Sequence, residues 1–183
     1  MKSEIKAFSN EQIYVSEVFV GAFSVSPKID SFSTWFISGF GVLLALIISN
    51  FASLISSNII DIVLFKWAVI FYALAFIFSS AQKYIALFVE SGRNSFIETA
   101  KIIAKVRDAN VILDENVVYE EISSAVFSPG RWFIDRVKKK LDNGELLYFY
   151  KFLYKSCQTQ MILVFLQMLT HLLTIVLLIF SIN

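Results

Sequence analysis

Charge is scarce in this chain. Asp, Glu, Lys and Arg make up only 17% of the 183 residues while 57% are hydrophobic, a balance far more apolar than a soluble domain of this size requires. A formal net charge of +1 supplies no general attraction to phosphate backbones, so no nucleic-acid partner is expected. The single cysteine, Cys157, excludes an intramolecular disulfide, and its place at the mouth of an apolar block fits a small packed thiol. The single histidine, His171, shares one stretch with Cys157 and has no second ligand beside it, so no metal site is expected. Six glycines and two prolines are too few and too scattered to build a P-loop, a dinucleotide fingerprint or a nucleophile elbow. Asp114-Glu115 and Glu120-Glu121 read as a solvated acidic face. No catalytic residue and no cofactor are expected, and the chain is not expected to be an enzyme.

What the chain does have is three long apolar blocks, 35–56, 62–81 and 161–182, each long enough to cross a bilayer. The first starts too late and runs too long for a signal peptide, and a second block follows it at once, so it is expected to be retained. Neither Lys2 nor the closing Ser-Ile-Asn provides a lipidation signal. The expected fold is an all-α integral membrane protein: an antiparallel transmembrane hairpin plus a C-terminal span, with a small, mostly helical cytoplasmic module. The expected divisions are a cytoplasmic, amphipathic head at 1–33, the hairpin at 34–81, the cytoplasmic module at 82–144, and a long helix ending in the third span at 145–183. No internal repeat is evident, which weighs against an inverted-repeat transporter.

Lys and Arg are unevenly placed. Three precede the first block, twelve lie within 82–156, and none falls in 57–61 or after Phe180. The positive-inside rule then predicts a cytoplasmic N-terminus, a tight outer turn at 57–61, a cytoplasmic middle and an extracytoplasmic C-terminus; the size and style of the chain suggest a bacterial inner membrane. Lys66 is the exception. Either the second span begins at Ile62 and Lys66 snorkels to the headgroups, or it begins near Trp67 and runs to about Val89.

Local signals refine this. Ser9 and Gln12 fit a capping box. Pro27 is expected to close the segment that follows, and Asp30 to Trp35 to supply caps and an interfacial indole where the first span enters. Ser38, Gly41, Ala45, Ser49, Ala52 and Ser56 recur at helical spacing, as do Ala68, Tyr72, Ala75 and Ser79. These faces suit mutual packing of the hairpin, or a contact between subunits or with a partner. Asn50, near the middle of the first block, is expensive in lipid and is expected to point into a protein interface. Residues 82–107 keep helical character, with Ser91-Gly92 as the weak point, while 110–121 suit a hairpin or a helix.

The strongest signal in the polar region is 128–144. Ser128 and Pro129 open a helix, Lys138 to Lys140 fill its last turn, and Asn143-Gly144 stops it. Arg136, Lys138, Lys139 and Lys140 are expected to form a basic side, either lying on an anionic inner leaflet or simply solvated. From Glu145 onward a single helix is expected to run through an aromatic belt into the third span. Gln160, Gln167, His171 and Thr174 fall along one stripe of it, suited to bonds between helices, a polar path or a partner's membrane segment.

These features suggest a non-enzymatic inner-membrane binding protein acting through helix contacts, of the toxin-immunity or defence and envelope-complex kind. A homo-oligomeric pore or membrane-disrupting effector, and a membrane scaffold or assembly factor, are the alternatives. Its expected partners are the bilayer and either another protein or further copies of itself.

Overall fold

The computed structural model describes residues 9–56, 61–108, 115–126 and 128–182, and these are almost entirely helical. Seven helices follow in order: α1 (Asn10–Phe23), α2 (Ser26–Ser49), α3 (Phe51–Ser56), α4 (Ile62–Asp108), α5 (Glu115–Ser124), α6 (Ser128–Asp142) and α7 (Tyr148–Ser181). Three segments are long and apolar enough to cross a membrane, within Asn10–Ser49, Ile62–Thr99 and Tyr148–Ser181. At 1.5 Å per residue, the 24 residues of α2 extend about 36 Å, more than the roughly 30 Å of a hydrocarbon core. Residues 57–60 of the expected outer turn at 57–61, and 110–114 of the segment expected as hairpin or helix, lie outside the described residues.

α1 opens as the sequence suggests. The Ser9 amide donates to Gln12 Oε1 at 3.0 Å and the Gln12 amide to Ser9 Oγ at 3.3 Å, closing the capping box. The break after it differs from expectation. The chain turns at Ser24-Val25, and Pro27 sits in the first turn of α2 rather than ending what precedes it. Proline's fixed φ and missing N–H suit that place. Asp30 to Trp35 are therefore helix interior and cap nothing. The first long helix begins at Ser26, nine residues before the apolar block, and stops at Asn50. Asn50 is exposed at that break, with its amide group donating to the Leu46 carbonyl at 2.9 Å. Asn50 thus ends α2 rather than lying in mid-helix, and within this chain its side chain satisfies its own helix end.

α4 starts at Ile62 with exposed Lys66 in its second turn. Asp61 Oδ1 accepts from the amides of Val63 (2.8 Å) and Leu64 (3.2 Å), which caps the orphan donors there. The helix then runs unbroken through Ser91-Gly92 to Asp108. α6 fills most of the expected 128–144 helix, and Gly144, at φ 84°, takes the left-handed turn that ends it.

The chain divides into two compact units. The first comprises residues 1–23 and 91–155, and aromatic rings hold it together. Phe96 stacks on Tyr150 at 4.4 Å and meets Phe149 edge-on at 5.1 Å, Phe133 lies 5.1 Å from Phe152, and Phe19 lies 5.1 Å from Tyr154. Gly92 lets the fully buried Leu153 lie directly on the α4 backbone. Within this unit α5 and α6 also touch. Tyr119 donates to Asp135, and Lys138 Nζ stands 3.7 Å above the Tyr119 ring.

That contact has a pH signature. The bond to the Asp135 carboxylate favours the neutral phenol, which pushes Tyr119 above the ordinary tyrosine range. Because the folded value is raised, its contribution to stability is present at neutral pH and is lost as pH climbs through that raised value. Asp135→Asn should bring the transition down, read as the ultraviolet difference titration between chains with and without Tyr119→Phe. An unmoved transition would show that Asp135 does not govern it.

The second unit comprises 24–90 and 156–183. α2 runs antiparallel to α4 and parallel to α7, since side-chain pairs joining α2 to α7 keep one sequence offset of 134 while those joining α2 to α4 run in opposite order. At one end, Leu44, Phe65, Ala68 and Leu178 form a small apolar core with Phe51 packed on it. There the Asp61 amide donates to the Ser181 carbonyl at 2.7 Å.

Candidate functional site: a layered polar core

Polar side chains from α2, α4 and α7 meet inside the second unit in stacked layers. In the first, Ser26 Oγ donates to Gln160 Oε1 at 2.7 Å, while Gln160 Nε2 donates back to the Ser26 carbonyl (3.0 Å) and across to Gln82 Oε1 (3.1 Å). Gln82 Nε2 in turn donates to Asp30 Oδ1 at 3.0 Å. The second layer lies one heptad on, about 10 Å along the axis. Ser33 Oγ donates to Gln167 Oε1 at 2.6 Å, Gln167 Nε2 donates to the Ser33 carbonyl at 3.2 Å, and Ser79 Oγ stands 3.1 Å from Ser33 Oγ. The same reciprocal serine–glutamine clamp therefore occurs twice. Ser26, Ser33, Gln82 and Gln160 are fully buried, and Gln167 nearly so.

The third layer is aromatic around one imidazole. His171 lies 5.2 Å from the Phe36 ring, 4.7 Å from Phe40 and 5.9 Å from Tyr72. Its Nδ1 is 2.8 Å from the Gln167 carbonyl, whereas its buried Nε2 has no partner among the described residues. Gly41 makes room for this arrangement. A Cβ there would stand 2.9 Å from the Tyr72 hydroxyl, which donates to the Ile37 carbonyl at 3.3 Å. Thr170 and Thr174 bond carbonyls of their own helix.

A buried imidazole nitrogen left unpaired costs about 1–3 kcal/mol. His171→Phe removes that atom and keeps a ring among Phe36, Phe40 and Tyr72. It should therefore leave the unfolding midpoint in nanodiscs unchanged or raise it. A large loss would show that the nitrogen is held by a group beyond these residues.

The structure gathers Gln160, Gln167, His171 and Thr174 inside, all on the face of α7 that meets the other helices. It does not gather the small residues of α2. Ser38, Ala45 and Ser49 are exposed, as are Ala52 and Ser56, and only Gly41 of that series turns inward. Mutual packing of the two small-residue faces is thus corrected on the α2 side, while Ala68, Ala75 and Ser79 of α4 are buried. The reason is rotational. Hydrogen-bond demand from the two glutamines turns Ser26 and Ser33 inward, and Leu44 follows on the same face. Asp30, Ser26, Ser33 and Gln82 were absent from the sequence expectation for this core. The signal that could have found the serines is their spacing of seven, matching that of Gln160 and Gln167.

The basic residues of α6 do not share one face. Arg136 is exposed beside Trp132, 5.3 Å from its ring, and Lys139 is exposed one turn on. Lys138 turns to Tyr119, and Lys140 Nζ pairs with Glu145 at 2.7 Å.

Chemically, the first two layers are donors matched to acceptors, with no group of three metal-ligating side chains among the described residues. The arrangement defines a helical bundle, built like a multi-pass membrane protein, whose interior polarity joins helix to helix. No family model, no curated protein and no solved structure matches the chain.

Proposed function

We propose that this chain is a non-enzymatic, multi-pass inner-membrane binding protein with a cytoplasmic N-terminus and an extracytoplasmic C-terminus. In this reading it serves as a toxin-immunity factor or as the membrane subunit of a defence or envelope complex. One observation carries the reading: the buried glutamines and serines of the two polar layers are spent on one another. Glutamines and serines locked pairwise across three helices make a rigid platform, with their bonding capacity already used inside the chain.

Partner contact then falls to outward surfaces. α5 shows Val118 and Ile122, one turn apart and both exposed, and α6 shows Trp132 with Arg136 and Lys139. Exposed tryptophan and arginine are the residue types that anchor protein contacts, and the two cations also suit an anionic leaflet. We place the protein partner on α5.

A second reading, homo-oligomerisation into a pore or effector, is favoured by the exposed Ser38, Ala45 and Ser49. Small residues facing outward allow a helix of another copy to approach closely.

Photo-crosslinking separates the two. A crosslinking residue at Ile122 or Val118 should capture a foreign protein in source-cell membranes, while one at Ala45 should give no dimer. Dimers through Ala45 with nothing captured through α5 would reverse the order of the two readings.

A further inference from the structure

The outward side of the α2–α7 seam carries a groove of about 380 Å³ at the level of the first polar layer. Ile29 and Phe32 line it on α2, and Met161, Phe165 and Met168 on α7, with Lys28 as the one charged lining residue. Its walls are set by the core behind it. The two serine–glutamine clamps hold α2 and α7 side by side at 26/160 and 33/167, so the valley between their outer ridges exists before anything enters it. From Met161 to Met168 the groove runs about 10 Å along the helices. Lys28 lies at its upper end, level with the start of the apolar stretch of α7.

We infer that this groove binds one anionic glycerophospholipid, with an acyl chain lying along Phe32, Phe165 and Met168 and the phosphate held at Lys28. The inference rests on the membrane reading proposed above.

Charge complementarity commits the site to that occupant. Among the described residues Lys28 makes no ion pair. The first turn of α2 has no acidic residue to compete with a bound anion for Lys28. Asp30 lies two positions on, pointing to the opposite side of the helix, where it accepts from Gln82. Lys28 is exposed with a long apolar stem, which can follow the groove wall and leave its ammonium at headgroup depth. The lower wall suits a chain of variable shape, because Met161 and Met168 are flexible and exposed.

The test uses the full chain in nanodiscs of phosphatidylcholine with phosphatidylglycerol, read by native mass spectrometry after release, and flotation with vesicles of the same composition. Wild type should float and retain one phosphatidylglycerol in preference to phosphatidylcholine. Lys28→Gln should cut that preference about fivefold and Lys28→Glu more than tenfold, with flotation unchanged. Met168→Trp, at an exposed position, should reduce retention of both lipids by blocking the lower groove. Equal retention of the two lipids by wild type, an unchanged preference in Lys28→Glu, or a second copy of the chain crosslinked through Met168→Cys in place of lipid would each overturn the site. A chain that does not float sinks the membrane reading itself, which is a separate failure.

Discussion

Gln160→Leu is expected to lower the unfolding free energy in nanodiscs by about 2–3 kcal/mol. Three bonds disappear with this amide, two to Ser26 and one to Gln82. Hydrogen bonds between helices in a membrane average about 0.6 kcal/mol each, which accounts for roughly 2 kcal/mol. The remainder comes from what is stranded. Ser26 and Gln82 have no exposed surface, so neither can turn to water when its partner leaves. Gln167→Leu should cost less, because the Ser33 and Ser79 hydroxyls remain 3.1 Å apart and continue to satisfy each other. With His171→Phe the order of loss should be 160, then 167, then 171. Steric-trapping or denaturant titration in the bilayer would measure it. Equal losses at 160 and 167 would remove the argument that the third helix decides the difference.

Leu153→Ala should destabilise the aromatic unit by about 3 kcal/mol, within the range for a fully buried leucine whose cavity cannot close. Collapse is resisted here because the opposing wall is helix backbone at Gly92. Both Leu153 methyl carbons lie 3.0 Å from where a Gly92 Cβ would stand, which leads to a coupling prediction. In wild type, Gly92→Ala sets a gain in helix propensity of about 1 kcal/mol against overpacking of similar size. Once Leu153 is truncated the clash is gone, and the added methyl fills part of the hole. The double variant should recover at least about 1 kcal/mol of the Leu153→Ala loss, a positive interaction in a double-mutant cycle. Additive behaviour would mean that Leu153 is supported elsewhere.

Much of this architecture can be read from local signals. The Ser9–Gln12 capping box, the Ser-Pro entry and Asn-Gly exit of α6, and the unbroken continuation of α4 past Gly92 all depend on residues within a few turns of one another, which a linear sequence displays directly. The inward stripe of α7 is visible for the same reason. What could not be read was the rotation of α2. Hydrophobicity starts that span at Trp35, which leaves Ser33 among the expected caps and Ser26 outside the span altogether, and the small-residue stripe then points the wrong way round. Rotation was decided by glutamines more than a hundred positions away. The stop at Asn50 was equally hidden, since no proline or glycine marks it and asparagine's ability to end a helix is read only when its backbone is seen.

The repeated clamp also bears on chain length. Ser26 meets Gln160 and Ser33 meets Gln167 at one identical offset, so both pairs close only while the two seven-residue intervals match. An inserted or deleted residue within either interval turns everything beyond it by about 100°, and a clamp that had been bonded faces out of the bundle instead. Exchanging side chains within the interval leaves that frame intact. Between Ser26 and Ser33, and between Gln160 and Gln167, the count of residues matters more to this bundle than most of their identities.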